Sequence, residues 1–253
     1  MKAMDGLFPM FWDAKAGRLY LQINKFDQDF LFLTSLPYGL GHNDVGLDRG
    51  KLGETAIVHF SRIGPKVLLV QPNLEYRSSS PNPAERMAVT QSFAESVPAG
   101  FKIEAEENGT VLVDVTDFLM SDQFGVVKQL TESKQGSYKV DKDRSAVALD
   151  NTKNFPLNTE IESMLTFTTD KPAEKSLVAM VTPDAYAVTM REHYSFVQLP
   201  DAGYRPRPFD PRSGYFETMY RDYSAPLGSP LDLRFIAHKS GKQSSCRMSK
   251  KCR

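Results

Sequence analysis

Residues 101–115 read FKIEAEENGTVLVDV, and this stretch constrains the chain more than any other. Phe101, Ile103 and Ala105 alternate with Lys102, Glu104 and Glu106, the period of two that lines one face of a strand with apolar side chains. Asn108-Gly109 then supplies two residues that tolerate positive φ, as a type I′ turn requires, and Val111, Val113 and Val115 resume the alternation. A hairpin of this kind has one apolar face that the rest of the chain must cover.

The same period recurs. RLYLQI follows LFPMFW across the turn-like DAKAG, predicting a second hairpin, and Gly64-Pro65 separates two β-branched runs as a third. Further along, NTEIESMLTFTTD sets Ile161, Leu165 and Phe167 against Glu160, Glu162 and Met164. In AYAVTMREHYSFVQL, Val188, Met190, Tyr194 and Phe196 face one way, while His193 shares the other face with Arg191 and Ser195. One helix interrupts the strands at NPAERMAVTQSFAESV. Asn82 caps it, Pro83 opens it and Glu85 completes a capping box, with Val89, Phe93 and Val97 as the core-facing stripe. GVVKQLTES is a shorter second helix. The expected class is α+β, mainly antiparallel sheet as a sandwich or barrel-like roll, with one or two covering helices.

Composition sets the outer limits. The 253 residues carry 31 bases and 31 acids, which argues against nucleic-acid binding driven by bulk charge. The balance is uneven, since residues 239–253 hold six bases and no acid, and both cysteines, Cys246 and Cys252. Residues 1–238 read as one β-rich accessory region, with a potential division near 150; the basic tail reads as a disordered or frameshifted end. No stretch reaches the roughly 18 apolar residues of a membrane span, and the first residues lack a secretory signal.

The motifs for chemistry are incomplete. GLGHNDVGLDRGKLG, residues 39–53, has Gly41 and Gly46 at phosphate-loop spacing, but Leu47-Asp48 follow where lysine and a hydroxyl residue are needed. Asn43, Asp44 and Asp48 miss the alternate spacing of a calcium loop. The expectation is therefore an ordered loop held by Asp44, Asp48 and Arg49, in contact with a neighbouring domain or ligand. None of the four histidines forms H-x-x-x-H or H-E-x-x-H, and no G-x-S-x-G elbow is present, so no catalytic or metal-binding residue is assigned. Glu160 and Glu162 read as a solvated strand face. Residues 200–230 hold six prolines, and Pro206, Pro208 and Pro211 forbid a regular ladder. That segment reads as extended and anchored by Tyr204, Phe209, Tyr215 and Phe216. Contact candidates are Asp44, Asp48, Arg49, His193, Arg207, Asp210 and Arg212.

Six phrases in order, DGLFPMFWDAKAGRLYLQI, GLGHNDVGLDRGKLG, GPKVLLVQPNLEYR, NPAERMAV, TKNFPLNTEIE and GYRPRPFDPRSGYF, carry a family likeness. Together they resemble the uncharacterised domain that precedes the catalytic domain in large bacterial zinc-dependent metalloproteases of the met-zincin type. The resemblance implies a zinc bound in that following domain, whose histidines hold the metal while a glutamate acts on water. It implies an exported parent, a catalytic domain in cis as partner, and no cofactor within these residues. It lapses near His238, so the chain reads as an amino-terminal fragment that is inactive alone. The functional expectation is a non-catalytic accessory or prodomain-like region. In a sharper version, Asp210 on the proline-rich segment occludes zinc, which Asp210→Ala would relieve. The alternative is a stand-alone cell-envelope module binding carbohydrate or peptide; a third class is a hydrolase using His193 with a carboxylate.

Overall fold

Alternating sequence becomes paired strands wherever a turn reverses the chain, and the turns here do so. β1 (Lys2–Met4), β2 (Met10–Asp13), β3 (Arg18–Ile23) and β4 (Phe30–Ser35) precede the glycine-rich loop; β5 (Leu52–Ile63) and β6 (Lys66–Gln71) follow it. After β7 (Tyr76–Arg77) and α1 (Pro83–Ser92) come β8 (Ser96–Glu107), β9 (Thr110–Asp114), α2 (Thr116–Leu119) and α3 (Val126–Glu132). β10 (Lys139–Val147), β11 (Lys153–Phe155), β12 (Asn158–Thr168), α4 (Leu177–Val181) and β13 (Ala187–Gln198) complete the main body. β14 (Arg207–Pro208), β15 (Thr218–Asp222) and β16 (Asp232–Phe235) lie beyond it. This computed structural model describes residues 1–201, 203–204, 207–208, 218–226 and 232–235. Two compact units result: Met1–Leu69 with Ala99–Gln198, and Val70–Pro98 with Leu199–Arg253; residue 150 falls inside the first.

A 12-stranded sheet runs in the order β1-β2-β3-β9-β8-β6-β5-β4-β13-β12-β10, with β11 also paired to β12. It is mostly antiparallel and curls into a half-barrel, the roll rather than the sandwich. The turn between β8 and β9 has Asn108 at φ 50° and Gly109 at φ 76°, both positive as the I′ turn demands. Inward residues of the strands make the core. Phe8, Phe30 and Phe60 meet with ring centroids 5.1–5.3 Å apart, and Phe32 packs on Phe196 at 5.2 Å. Such contacts add about 0.5–1.5 kcal/mol each beyond the area they bury. Among the described residues no helix is long and apolar enough to cross a membrane.

The glycine-rich loop is a surface loop anchored by backbone bonds and three buried apolar side chains. Leu36 N donates to Lys51 O at 2.9 Å, Gly50 N to Leu36 O at 2.7 Å, and Leu40 N to Leu47 O at 2.9 Å. A 3₁₀ turn over Asn43–Val45 ends at Gly46, whose φ of 73° suits glycine. Leu40, Val45 and Leu47 enter the core. Lys51 Nζ and Gln129 Nε2 take the carbonyls of Gly46 and Val45 at 2.6 and 2.9 Å. Asp44, Asp48 and Arg49 are all exposed, and among the described residues neither Asp48 nor Arg49 makes a side-chain hydrogen bond or ion pair. Apolar burial, backbone bonds and Lys51 therefore hold the loop, whereas the Asp48 and Arg49 side chains, expected to fix it, make no such contact. The chain passes so close to itself that a Cβ on Gly39 would lie 2.6 Å from Arg49 N. Backbone cannot swing aside as a side chain can. Gly39→Ala should therefore cost about 1–3 kcal/mol in urea unfolding.

The second unit holds a four-stranded sheet in the order β14-β16-β15-β7. Pro208 pairs with Arg234 after all, in a two-residue strand at the sheet edge, where a missing N–H is tolerated. Asn82 caps α1 by accepting from Ala84 N at 3.0 Å, and Glu85 takes the Ser80 hydroxyl at 2.5 Å. The expected core-facing stripe of α1 is absent, since none of its residues is buried. Phe93 leaves the helix to stack on Tyr76 at 3.8 Å, and Val97 belongs to β8 and is exposed. Phe209, Tyr215 and Phe216 lie outside the described residues.

Candidate functional site

Register decides which polar side chains meet. β12 and β13 pair antiparallel with Glu160 opposite Ser195, Glu162 opposite His193 and Met164 opposite Arg191. Residues two apart share a face, so Glu160, Glu162, Arg191, His193 and Ser195 converge on the face away from the core. Arg191 Nη1 donates to Glu162 Oε1 at 2.7 Å and to Asp150 Oδ2 at 3.0 Å. Asn151 Nδ2 adds a 3.0 Å bond to Glu162 Oε1. His193 Nε2 lies 2.8 Å from Glu160 Oε2, which also accepts the Ser195 hydroxyl at 2.5 Å. His193 Nδ1 lies 3.6 Å from Glu162 Oε2. The Arg191 guanidinium sits 5.4 Å from the centre of the exposed Tyr38 ring.

The electrostatics follow from this packing. Burial disfavours a charged His193, but hydrogen bonding and charge from Glu160, then charge from Glu162, outweigh it and raise its pKa. Bonding to Glu162 first, and then to Asp150, raises Arg191 against the opposing effect of burial. Asp150 is held below its usual value, chiefly by Arg191. The Glu162 side chain is only 2% exposed, which corrects the reading of this pair as a solvated face. Arg191, His193 and the 148–152 segment cover it.

Chemically the cluster is closed. The Ser195 hydroxyl donates to Glu160 Oε2, the same oxygen that pairs with His193 Nε2, so serine, carboxylate and imidazole form one connected network. A metal centre needs donors converging on one point, whereas the two ring nitrogens of His193 face different carboxylates. The charged side chains of the cluster thus pair with one another.

Of the residues anticipated from sequence, His193 lies in this cluster, and Asp44, Asp48 and Arg49 stand on the loop that also carries Tyr38. Arg207 is placed by its backbone in β14, and Asp210 and Arg212 lie outside the described residues. One residue was overlooked. Glu192 occupies the inward register between Met190 and Tyr194 and is fully buried. An acid at a core position of an alternating strand was a signal available in the sequence.

Residues 50–238 match the family described as Domain of unknown function (DUF5117). No curated protein and no solved structure matches the chain. With most of its length matched, the chain belongs to the DUF5117 family.

Proposed function

We propose that this chain is a non-catalytic accessory domain of a bacterial zinc-dependent metalloprotease of the met-zincin type, acting on a catalytic domain in cis. The observation that carries this reading is the division of labour among its charged groups. The Glu160–His193–Glu162–Arg191 cluster is spent on internal pairing, while the ordered loop presents Asp44, Asp48 and Arg49 outward. Charges held on a rigid loop bind a partner without a large ordering cost. Zinc belongs to the partner in this reading. The test is association of the separately expressed domain with the catalytic domain of its parent polypeptide. Asp48→Ala/Arg49→Ala should weaken binding by about 10-fold, or 1.4 kcal/mol, with Trp12 fluorescence unchanged. Full-strength binding by that variant would count against the docking loop, and no binding by the wild type would count against the accessory role.

A second reading, a carbohydrate- or peptide-binding module, draws on exposed Tyr38, with the Arg191 guanidinium 5.4 Å from its ring centre. The open face of such a ring can stack on a sugar while the guanidinium bonds its hydroxyls. Saturable glycan binding lost in Tyr38→Ala would favour it.

A further inference from the structure

Glu192 has no exposed surface and faces the core from the middle of β13. Its Oε2 accepts three hydrogen bonds, from Gln123 N at 3.2 Å, Phe124 N at 3.1 Å and the Tyr194 hydroxyl at 3.1 Å. The next three amides of the same turn belong to a second carboxylate. Asp122 Oδ1 accepts from Gly125 N at 2.7 Å and Val126 N at 2.8 Å, and Asp122 Oδ2 from Val127 N at 2.7 Å. Two carboxyl groups thus gather five consecutive N–H groups, 123–127.

No base balances them. Among the described residues, neither Asp122 nor Glu192 forms an ion pair with a basic side chain. Arg191 and His193, the chain neighbours of Glu192, point to the opposite face. The groups around Glu192 are Asp122 from the α2–α3 turn, Tyr194 on its own strand, Ser163 directly across on β12, and Thr34, which stands opposite Tyr194 on β4. None of these supplies positive charge, and Lys51 and Lys128, which line the same cleft as Asp122, form no ion pair with either acid; the Lys51 ammonium bonds the Gly46 carbonyl instead. Glu192 Oε1 accepts no hydrogen bond, so nothing at that oxygen offsets the burial of a charge. Two carboxylates without a cation cannot both ionise cheaply in a dry site.

We infer that Glu192 holds a proton at neutral pH against the charge of Asp122, and that losing this proton in alkali sets two buried carboxylates against each other at the 123–127 turn. Asp122 and the first residues of the turn form one wall of a cleft of about 410 Å³, and Lys51–Glu54 form another. Repulsion between the two carboxylates therefore acts on one wall of this cleft. In support, the Glu192 carboxyl is pushed up to about 9, by burial first and then by bonding and charge from Asp122. The sign follows from the raised value. Stability from the neutral acid is full below the ordinary glutamate range, declines as pH rises, and is gone once pH passes about 9.

The full chain, labelled with ¹³C and ¹⁵N, can be titrated from pH 5 to 10 by NMR. The Glu192 carboxyl is expected to titrate with a midpoint near 9, with the Gln123 and Phe124 amides moving on the same curve. Glu192→Gln keeps an acceptor and replaces the proton with an N–H, so those amides should become flat across this range. Asp122→Asn removes the like charge and should lower the Glu192 midpoint by at least one pH unit. A Glu192 midpoint below 7, or amides that ignore its titration, would overturn the inference. An unchanged midpoint in Asp122→Asn would overturn the part assigned to Asp122.

Discussion

Leu47→Ala should destabilise the first unit by about 2–5 kcal/mol, whereas Asp48→Ala and Arg49→Ala should each change it by no more than about 0.5 kcal/mol. Leu47 is fully buried although it lies in a loop rich in glycine and charge. Its carbonyl accepts from Leu40 N at 2.9 Å, so the side chain is held where the loop crosses back on itself. Truncation leaves a cavity beside Leu40 and Val45, and the backbone bonds that close the loop limit its collapse. Asp48 and Arg49 touch nothing comparable, so their loss removes little but solvated charge. Trp12 is the single tryptophan and packs against the core of the first unit, so its fluorescence during urea unfolding reads the right transition. A large loss in the charge variants with little in Leu47→Ala would reverse this account of the loop.

Arg191→Leu should cost about 2–4 kcal/mol, because it strands a carboxylate that is almost wholly buried. Glu162 would keep its bond from Asn151 at 3.0 Å and the more distant His193. Those contacts place the expected loss below the full cost of an unpaired buried charge. Asp150 should hardly register the change, since its side chain is 62% exposed and water replaces the guanidinium. The double variant Arg191→Leu/Glu162→Leu should recover most of the loss, since a packed apolar pair can replace a buried ion pair at little net cost. As a control, Lys142→Ala breaks an exposed pair with Asp117 and should stay within about 0.5 kcal/mol. Equal losses in Arg191→Leu and Lys142→Ala, read by the same fluorescence, would show that burial of Glu162 is energetically irrelevant.

Much of the candidate site was written in the order of residues. Period two assigned Glu160 and Glu162 to one face of β12, and Arg191, His193 and Ser195 to one face of β13. The same rule applies to Glu192, whose inward position the structure reveals. Which strands lay side by side was not available from either segment alone, and pairing brought Glu162 opposite His193. Nor could alternation say that the outward face is covered. That cover comes from Arg191 and from the 148–152 segment, which folds back so that Asn151 and Asp150 reach the cluster.

Short-range chemistry by itself determined the turns, the strand faces and the start of α1. Asn108-Gly109 takes positive φ because few other pairs can, and Asn82 caps its helix because its side chain reaches an amide two residues away. Tertiary structure alone decided what each face meets. It left α1 without a buried residue, gave the glycine-rich loop an apolar anchor, paired the buried Glu162 with Arg191 and placed Glu192 beside Asp122 without a basic partner. The physical reason is one of range. Backbone dihedrals and caps are set within about four residues. Burial and charge pairing depend on contacts between segments tens of residues apart, such as Glu192 with the amides of Gln123 and Phe124.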